Sequence, residues 1–264
     1  VILDREDHAS IYDAARLSYG KMLRYRHADM ADLEEQLKAV PEECGALIVT
    51  DGVFSMGGDI AKLPEICELA EKYGARVMVD DAHGLGVLGE GGRGTASYFG
   101  LEDKVDIYMG TFSKSLASLG GYLAADAKIV DYVRHTSRPY MFAASIPPAQ
   151  TAVALAALRY LEAHPELPVK LSNIASRFRQ NLKDRDVAII EAPTPIVPIY
   201  TYEPENTLIK NTQIYEAGVY TNPVLPPACA PGECLLRTSL MASHTEALVD
   251  EAADIIAEVM HRDD

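Results

Sequence analysis

Positive charge is scarce in this 264-residue chain: 24 lysines and arginines face 39 aspartates and glutamates, a formal net charge of −15. That balance excludes a polybasic surface, so neither nucleic acid nor an anionic membrane is expected as a partner. Cysteine is scarce too. Cys44, Cys67, Cys229 and Cys234 are too few and too scattered for a disulfide framework. Cys229 and Cys234 lie close together in a Pro/Gly-rich turn, but no further Cys or His pair stands at zinc spacing, so no metal site is predicted. All four read as reduced thiols of a cytoplasmic protein. Long apolar runs are missing: residues 147–158, the longest nearly uncharged helical stretch, are too short for a bilayer core of roughly 30 Å. No secretory leader is visible, since Val1-Ile2-Leu3 runs straight into Asp4-Arg5-Glu6-Asp7. Internal repeats and low-complexity segments are absent as well.

What is present is an ordinary globular composition, 48% hydrophobic and 24% charged, enough for one large domain with a smaller one. Residues 47–51, 76–80, 106–112 and 122–125 read as strands, and residues 30–40 and 60–73 as amphipathic helices between them. This alternation predicts an α/β domain with a mainly parallel sheet, whose ligands bind outside the carboxyl ends of the strands. An apolar helix over 149–163 follows. Beyond Pro165 and Pro168, helices at 171–182, 207–217 and 245–260 mix with short β runs at 187–190, 196–200 and 235–240. The expected division is a large domain over residues 1–150, then a linking helix and a smaller α+β domain over 151–264. The first residue is Val and it opens a strand-like run, which predicts the middle and end of a longer polypeptide.

Three constellations carry chemistry. Gly84-Leu85-Gly86-Val87-Leu88-Gly89 matches the dinucleotide pattern G-x-G-x-x-G, the basis for a competing nicotinamide-binding oxidoreductase reading. That pattern requires a helix opening on its last glycine; here Glu90-Gly91-Gly92-Arg93-Gly94 follows, so a glycine-rich loop is the expectation. Thr111-Phe112-Ser113-Lys114-Ser115-Leu116 puts a lysine among hydroxyls at a strand end, where desolvation of its amine would favour Schiff-base chemistry. Val77-Met78-Val79-Asp80-Asp81-Ala82-His83 ends a buried strand in an acid, with an imidazole soon after. A lone turn lysine, or a lone loop acid, ordinarily means nothing. Lysine, aspartate and histidine at successive strand ends describe a pyridoxal 5′-phosphate (PLP) site.

Asp7-His8-Ala9-Ser10, Asp51 to Asp59, Asp80 to Gly94, Thr111 to Gly121, Ser137 to Pro148 and Leu236 to Thr245 stand in the order of one family. The chain resembles the α-oxoamine synthases, PLP enzymes of the aspartate aminotransferase fold (fold type I), over essentially its whole length. Within that family, Asp-His-Ala-Ser, Thr-Phe-Ser-Lys-Ser-Leu-Ala-Ser, Asn222-Pro223 and Ser239-Leu240-Met241-Ala242 are most similar to the bacterial serine palmitoyltransferase branch. The resemblance implies Lys114 as the Schiff-base lysine and Asp80 as the partner of the pyridinium nitrogen. His83 and Ser55 would contact the phenolic O3′, and His8 would stack on the ring. Thr111, together with Ser145 of a neighbouring subunit, would bind the phosphate, and Arg237 would hold the amino-acid carboxylate. It further implies a homodimer, no stable membrane anchor, and condensation of an amino acid with an acyl-CoA, with L-serine and palmitoyl-CoA preferred. Glycine C-acetyltransferase and 8-amino-7-oxononanoate synthase are the family alternatives, and an inactive fragment is the reading from another class. Relatives carry an N-terminal region, including a glycine-rich phosphate-binding segment, ahead of the strand that begins this chain.

Overall fold

The computed structural model describes residues 1–262, and they fall into two compact units. The first comprises Val1–Phe54 and Ile60–Pro165; the second comprises Ser55–Asp59 and Glu166 onward. The helix read as a link therefore groups with the first unit, and a five-residue excursion after Phe54 groups with the second.

In the first unit the chain runs β1 (Ile2–Asp4), α1 (Ala9–Leu17), β2 (Leu23–Tyr25), α2 (Met30–Lys38), β3 (Leu47–Asp51), α3 (Leu63–Tyr73) and β4 (Arg76–Asp80). It continues through α4 (Thr95–Phe99), β5 (Ile107–Thr111), β6 (Gly121–Ala125), α5 (Ala127–Thr136), α6 (Arg138–Phe142) and α7 (Pro148–Ala163). The strands form one sheet in the order β2-β1-β3-β4-β5-β6, parallel except for β6. Alternation along each strand sorts side chains to two faces. Ile2, Ile48, Val77 and Val79 pack with Leu33 and Leu37 of α2 and Ile66 of α3. Leu3 and Val49 pack with Ile11 and Ala15 of α1 on the other face. Burial on both faces is why these strands read as continuous apolar runs.

Local chemistry sets the helix boundaries. Asp29 caps α2 by accepting the Asp32 N–H. The helix expected over 60–73 begins only at Leu63: Ile60 is held in a bridge to Val53, and Pro64 occupies the first turn. Gly74, left-handed at φ 66°, stops it.

The second unit holds α8 (Leu167–Lys183), β7 (Ile196–Tyr202), α9 (Pro204–Glu216), β8 (Asn222–Val224), β9 (Cys234–Ser239) and α10 (Glu246–Met260). Its antiparallel sheet runs β7-β9-β8, and Phe178, Leu182, Ile199, Ile214, Leu236 and Ile256 form its core. The strand expected over 187–190 reduces to a single bridge, Ile189 to Ile199. No helix of the described residues is long and apolar enough to cross a membrane, and all four cysteines are free.

Candidate active site

The order of the first sheet reverses between β1 and β3, because β1 pairs with β2 on one side and β3 on the other. That reversal places a crevice at the carboxyl edge of the sheet. Asp4, Asp51, Asp80 and Thr111 are the last residues of β1, β3, β4 and β5. Register keeps them together: Asp51 pairs with Asp80, the Gly52 N–H donates to the Asp80 carbonyl at 2.8 Å, and the Asp81 N–H donates to the Met109 carbonyl at 2.8 Å.

Asp80 is 5% exposed, and its Oδ1 accepts the Ala82 N–H at 3.0 Å. Its Oδ2 makes no hydrogen bond among the described residues. Burial raises its pKa, opposed by the Ala82 hydrogen bond and then by the charges of Lys114 and His8. Lys114 and His8 thus lie within electrostatic range of Asp80.

His8 caps α1: its Nδ1 meets Ser10 Oγ at 2.8 Å and accepts the Ser10 N–H at 3.3 Å. Its Nε2 makes no hydrogen bond among the described residues. Two residues that sequence reasoning passed over hold this corner. Asp51 accepts the His8 backbone N–H at 2.7 Å. Asp7 accepts the Asp4 N–H through Oδ2 and the Asp51 N–H through Oδ1, each at 2.9 Å, stapling the ends of β1 and β3. Desolvation, ahead of repulsion from Asp51 and Asp4, pushes Asp7 up to about 9; desolvation and then Asp80 push Asp51 up to about 7. The signal was available for Asp51, since Leu47-Ile48-Val49-Thr50-Asp51 ends in an acid just as the Asp80 strand does.

The Thr111 segment behaves differently from expectation in one respect. Lys114 is exposed rather than desolvated, because it follows β5 beside the thinly covered edge strand β6. Thr111 Oγ1, by contrast, is sealed from solvent and makes no hydrogen bond among the described residues. An orphaned hydroxyl costs about 1–3 kcal/mol, and a phosphate oxygen is the strong acceptor that would relieve it. His83 is half-buried in the turn after β4. No helix opens on Gly89; a short 3₁₀ turn at Glu90–Gly92 follows, so the glycine stretch is a loop. Ser145 is exposed in the segment between α6 and α7.

Ser55 and Arg237 belong to the second unit and meet there: Arg237 Nε donates to the Ser55 carbonyl at 2.6 Å. The guanidinium is half-buried, desolvation lowers its pKa, and its terminal nitrogens make no hydrogen bond or ion pair among the described residues. A desolvated cation without a counter-ion is poised for a carboxylate. Asp80, Thr111 and Arg237 each fit one part of the implied chemistry: a protonated ring nitrogen, a phosphate and a carboxylate.

Comparison with known proteins gives the family and the fold. The model of the family described as aminotransferase class I and II matches residues 1–256. A serine palmitoyltransferase of Bacteroides thetaiotaomicron is 47% identical over 254 residues, covering 96% of this chain and 64% of that protein. An 8-amino-7-oxononanoate synthase of Thermosipho melanesiensis is 41% identical, covering 96% of this chain and 65% of its own length. A solved structure described as SPT with PLP internal aldimine superposes with a TM-score of 0.94 at 35% identity, covering 98% of this chain and 65% of that one. The chain spans a little under two thirds of the length of these relatives.

Proposed function

The chain belongs to the aminotransferase class I and II family, and from that premise we propose that it is the PLP-dependent acyltransferase part of a serine palmitoyltransferase-like enzyme. The reaction is decarboxylative condensation: an amino acid and an acyl-CoA give an amino ketone, CO₂ and free CoA. The carrying observation is Asp80, a buried residue at a strand end whose Oδ2 receives no hydrogen bond from the described residues. A protonated pyridine nitrogen is the cationic donor that such a group lacks.

Bound PLP supplies an electrophilic carbonyl and a protonated ring that takes up electrons from the substrate Cα. Asp80 keeps the proton on the ring nitrogen. Thr111 Oγ1 donates to the phosphate, with Ser145 of a second subunit as a further donor. Lys114 would hold the cofactor, and its amine would serve as the base toward the amino-acid Cα, being tethered beside the reacting carbon. His8 packs against the ring with its Nε2 available, His83 and Ser55 serve the phenolic oxygen, and Arg237 clamps the carboxylate. A homodimer is part of this proposal. It is supported by the exposure of Ser145 together with Tyr132, Tyr140, Phe142 and Tyr160 on α5–α7. A cytoplasmic location rests on the four free thiols.

L-Serine with a long-chain acyl-CoA is preferred because of the 47% identical relative. Alanine with pimeloyl-CoA, the 8-amino-7-oxononanoate synthase reaction, is the second reading, favoured by the 41% identical one. Adding serine, glycine and alanine separately to the PLP-loaded protein and following cofactor absorbance separates them. Serine giving the largest shift supports the first reading; alanine or glycine shifting it far more strongly sinks that substrate while leaving the family intact.

A further inference from the structure

The glycine-rich stretch that fails as a nucleotide loop has another occupant. Asp81, 2% exposed, accepts the Thr95 N–H through Oδ2 and the Thr95 hydroxyl through Oδ1, both at 2.7 Å. Thr95, the first residue of α4, is fully buried. Three glycines from three segments make room for this pair. A Cβ on Gly84 would lie 1.8 Å from Asp81 Oδ1, and one on Gly94 would lie 1.9 Å from Oδ2. On Gly52 it would lie 2.7 Å from Oδ1 and 2.4 Å from Thr95 Oγ1. Gly94 has a φ of +103° and is glycine for two reasons; at Gly84 and Gly52 the requirement is space alone. The backbone completes the arrangement, with the Asp81 N–H on the Met109 carbonyl and the Asp81 carbonyl accepting from Gly84 and Leu85. Asp80 and His83 sit on either side of this anchored point.

We propose that Asp81 is a positioning residue: clamped by Thr95 and seated among Gly52, Gly84 and Gly94, it fixes the turn that presents Asp80 and His83. Of the motif glycines Gly84 faces this carboxylate, whereas Gly86 lies against Ser115 and Gly89 against Gly94 and Ser97. Burial raises the Asp81 pKa, and the two Thr95 hydrogen bonds are the largest opposing causes. What is positioned rests on the PLP reading above; the clamp itself does not.

The test is a coupling between Gly84 and Asp81. In the native background Gly84→Ala is expected to lower the unfolding midpoint and to weaken PLP binding by ~10-fold. In an Asp81→Ala/Thr95→Ala background the added methyl meets neither the carboxylate nor the Thr95 hydroxyl, which would otherwise lie 2.8 Å from it, and its further effect on both readouts is expected to fall below ~2-fold or the equivalent midpoint shift. Equal losses in the two backgrounds overturn the proposal. Thr95→Val and Thr95→Ser decide it independently, even if the double variant does not fold. Valine is expected to move the His83 ring resonances in the PLP-free protein and to weaken PLP by ~10-fold, with serine restoring both. Valine leaving the His83 resonances at their native positions overturns the proposal. Should the native chain itself fail to bind PLP, the cofactor reading fails, while the unfolding midpoints and His83 resonances still decide the clamp.

Discussion

Replacing Asp51 with Asn tests the electrostatics of the carboxyl edge most directly. Burial first, and Asp80 second, lift its pKa from the usual 3.8 to about 7, against the His8 N–H and the charge of Lys114. A raised carboxyl pKa means that the folded chain holds the proton more tightly than the unfolded chain, so ionisation costs stability. The cost is absent below pH ~3.8, grows as pH rises, and is complete above pH ~7. About 3 units at 1.36 kcal/mol each give about 4 kcal/mol. Asp7, pushed up to about 9, also loses its proton only in the unfolded chain across that window and lowers stability there, but both proteins carry it and it cancels from their difference. Asparagine removes the charge but still offers an oxygen to the His8 N–H, with a bond weaker by about 1 kcal/mol. The variant should therefore be more stable than the native chain by about 3 kcal/mol at pH 8, with the gain shrinking to nothing or reversing near pH 4. At about 2–4 °C per kcal/mol, the unfolding midpoint at pH 8 should rise by about 6–12 °C. Thermal or urea unfolding of both proteins from pH 4 to 8.5 reads this out. A difference that does not change with pH, or a loss at pH 8, refutes the electrostatic account of this edge.

Thr111→Val deletes an orphaned hydroxyl, so the PLP-free chain should gain about 1 kcal/mol while PLP affinity, read by titration, falls by ~10-fold. Lys114→Ala removes a cation whose charge opposes the raised pKa of Asp80 and Asp51, so the unfolding free energy should fall more at pH 8 than at pH 4. Mass spectrometry after borohydride reduction should then find no PLP attached to it. Arg237→Lys trades a planar fork for a point charge, and steady-state kinetics should show KM for the amino acid rising by ~10-fold with kcat less affected.

Most of the first sheet was legible because its strands are short apolar runs bounded by breakers, and burial on both faces makes such runs continuous. β2 and α1 were not: Leu23-Arg24-Tyr25 carries a charge at its centre, and α1 buries only Ile11 and Ala15, too narrow a stripe to stand out. The segment holding α5 and α6 was illegible for a related reason, since neither helix buries a residue among the described ones. Asp80 and Lys114 could be read from their positions after strands. The exposure of Lys114 could not, because that depends on what covers β6. Nor could the sequence reveal why residue 84 is glycine: the neighbour that needs the room, Asp81, is recognised only from distances.

Polar groups within each of the two units fall into two kinds, and the difference separates architecture from chemistry. Asp7 and Asp81 are buried carboxylates whose two oxygens each find a donor in the chain, so the fold alone explains them. Asp80 has one donor for two oxygens, Thr111 Oγ1 has none, and the Arg237 guanidinium has a carbonyl but no anion. The sealed Thr111 hydroxyl costs stability, and substitution to a residue of similar shape would remove the cost. The shortfalls are complementary in sign to three specific groups: a cationic N–H, an acceptor of high charge density and a carboxylate. An unsatisfied group beside a fully satisfied one of the same type, as Asp80 lies beside Asp81, is therefore a sharper marker of ligand chemistry than burial or a raised pKa, which both aspartates share.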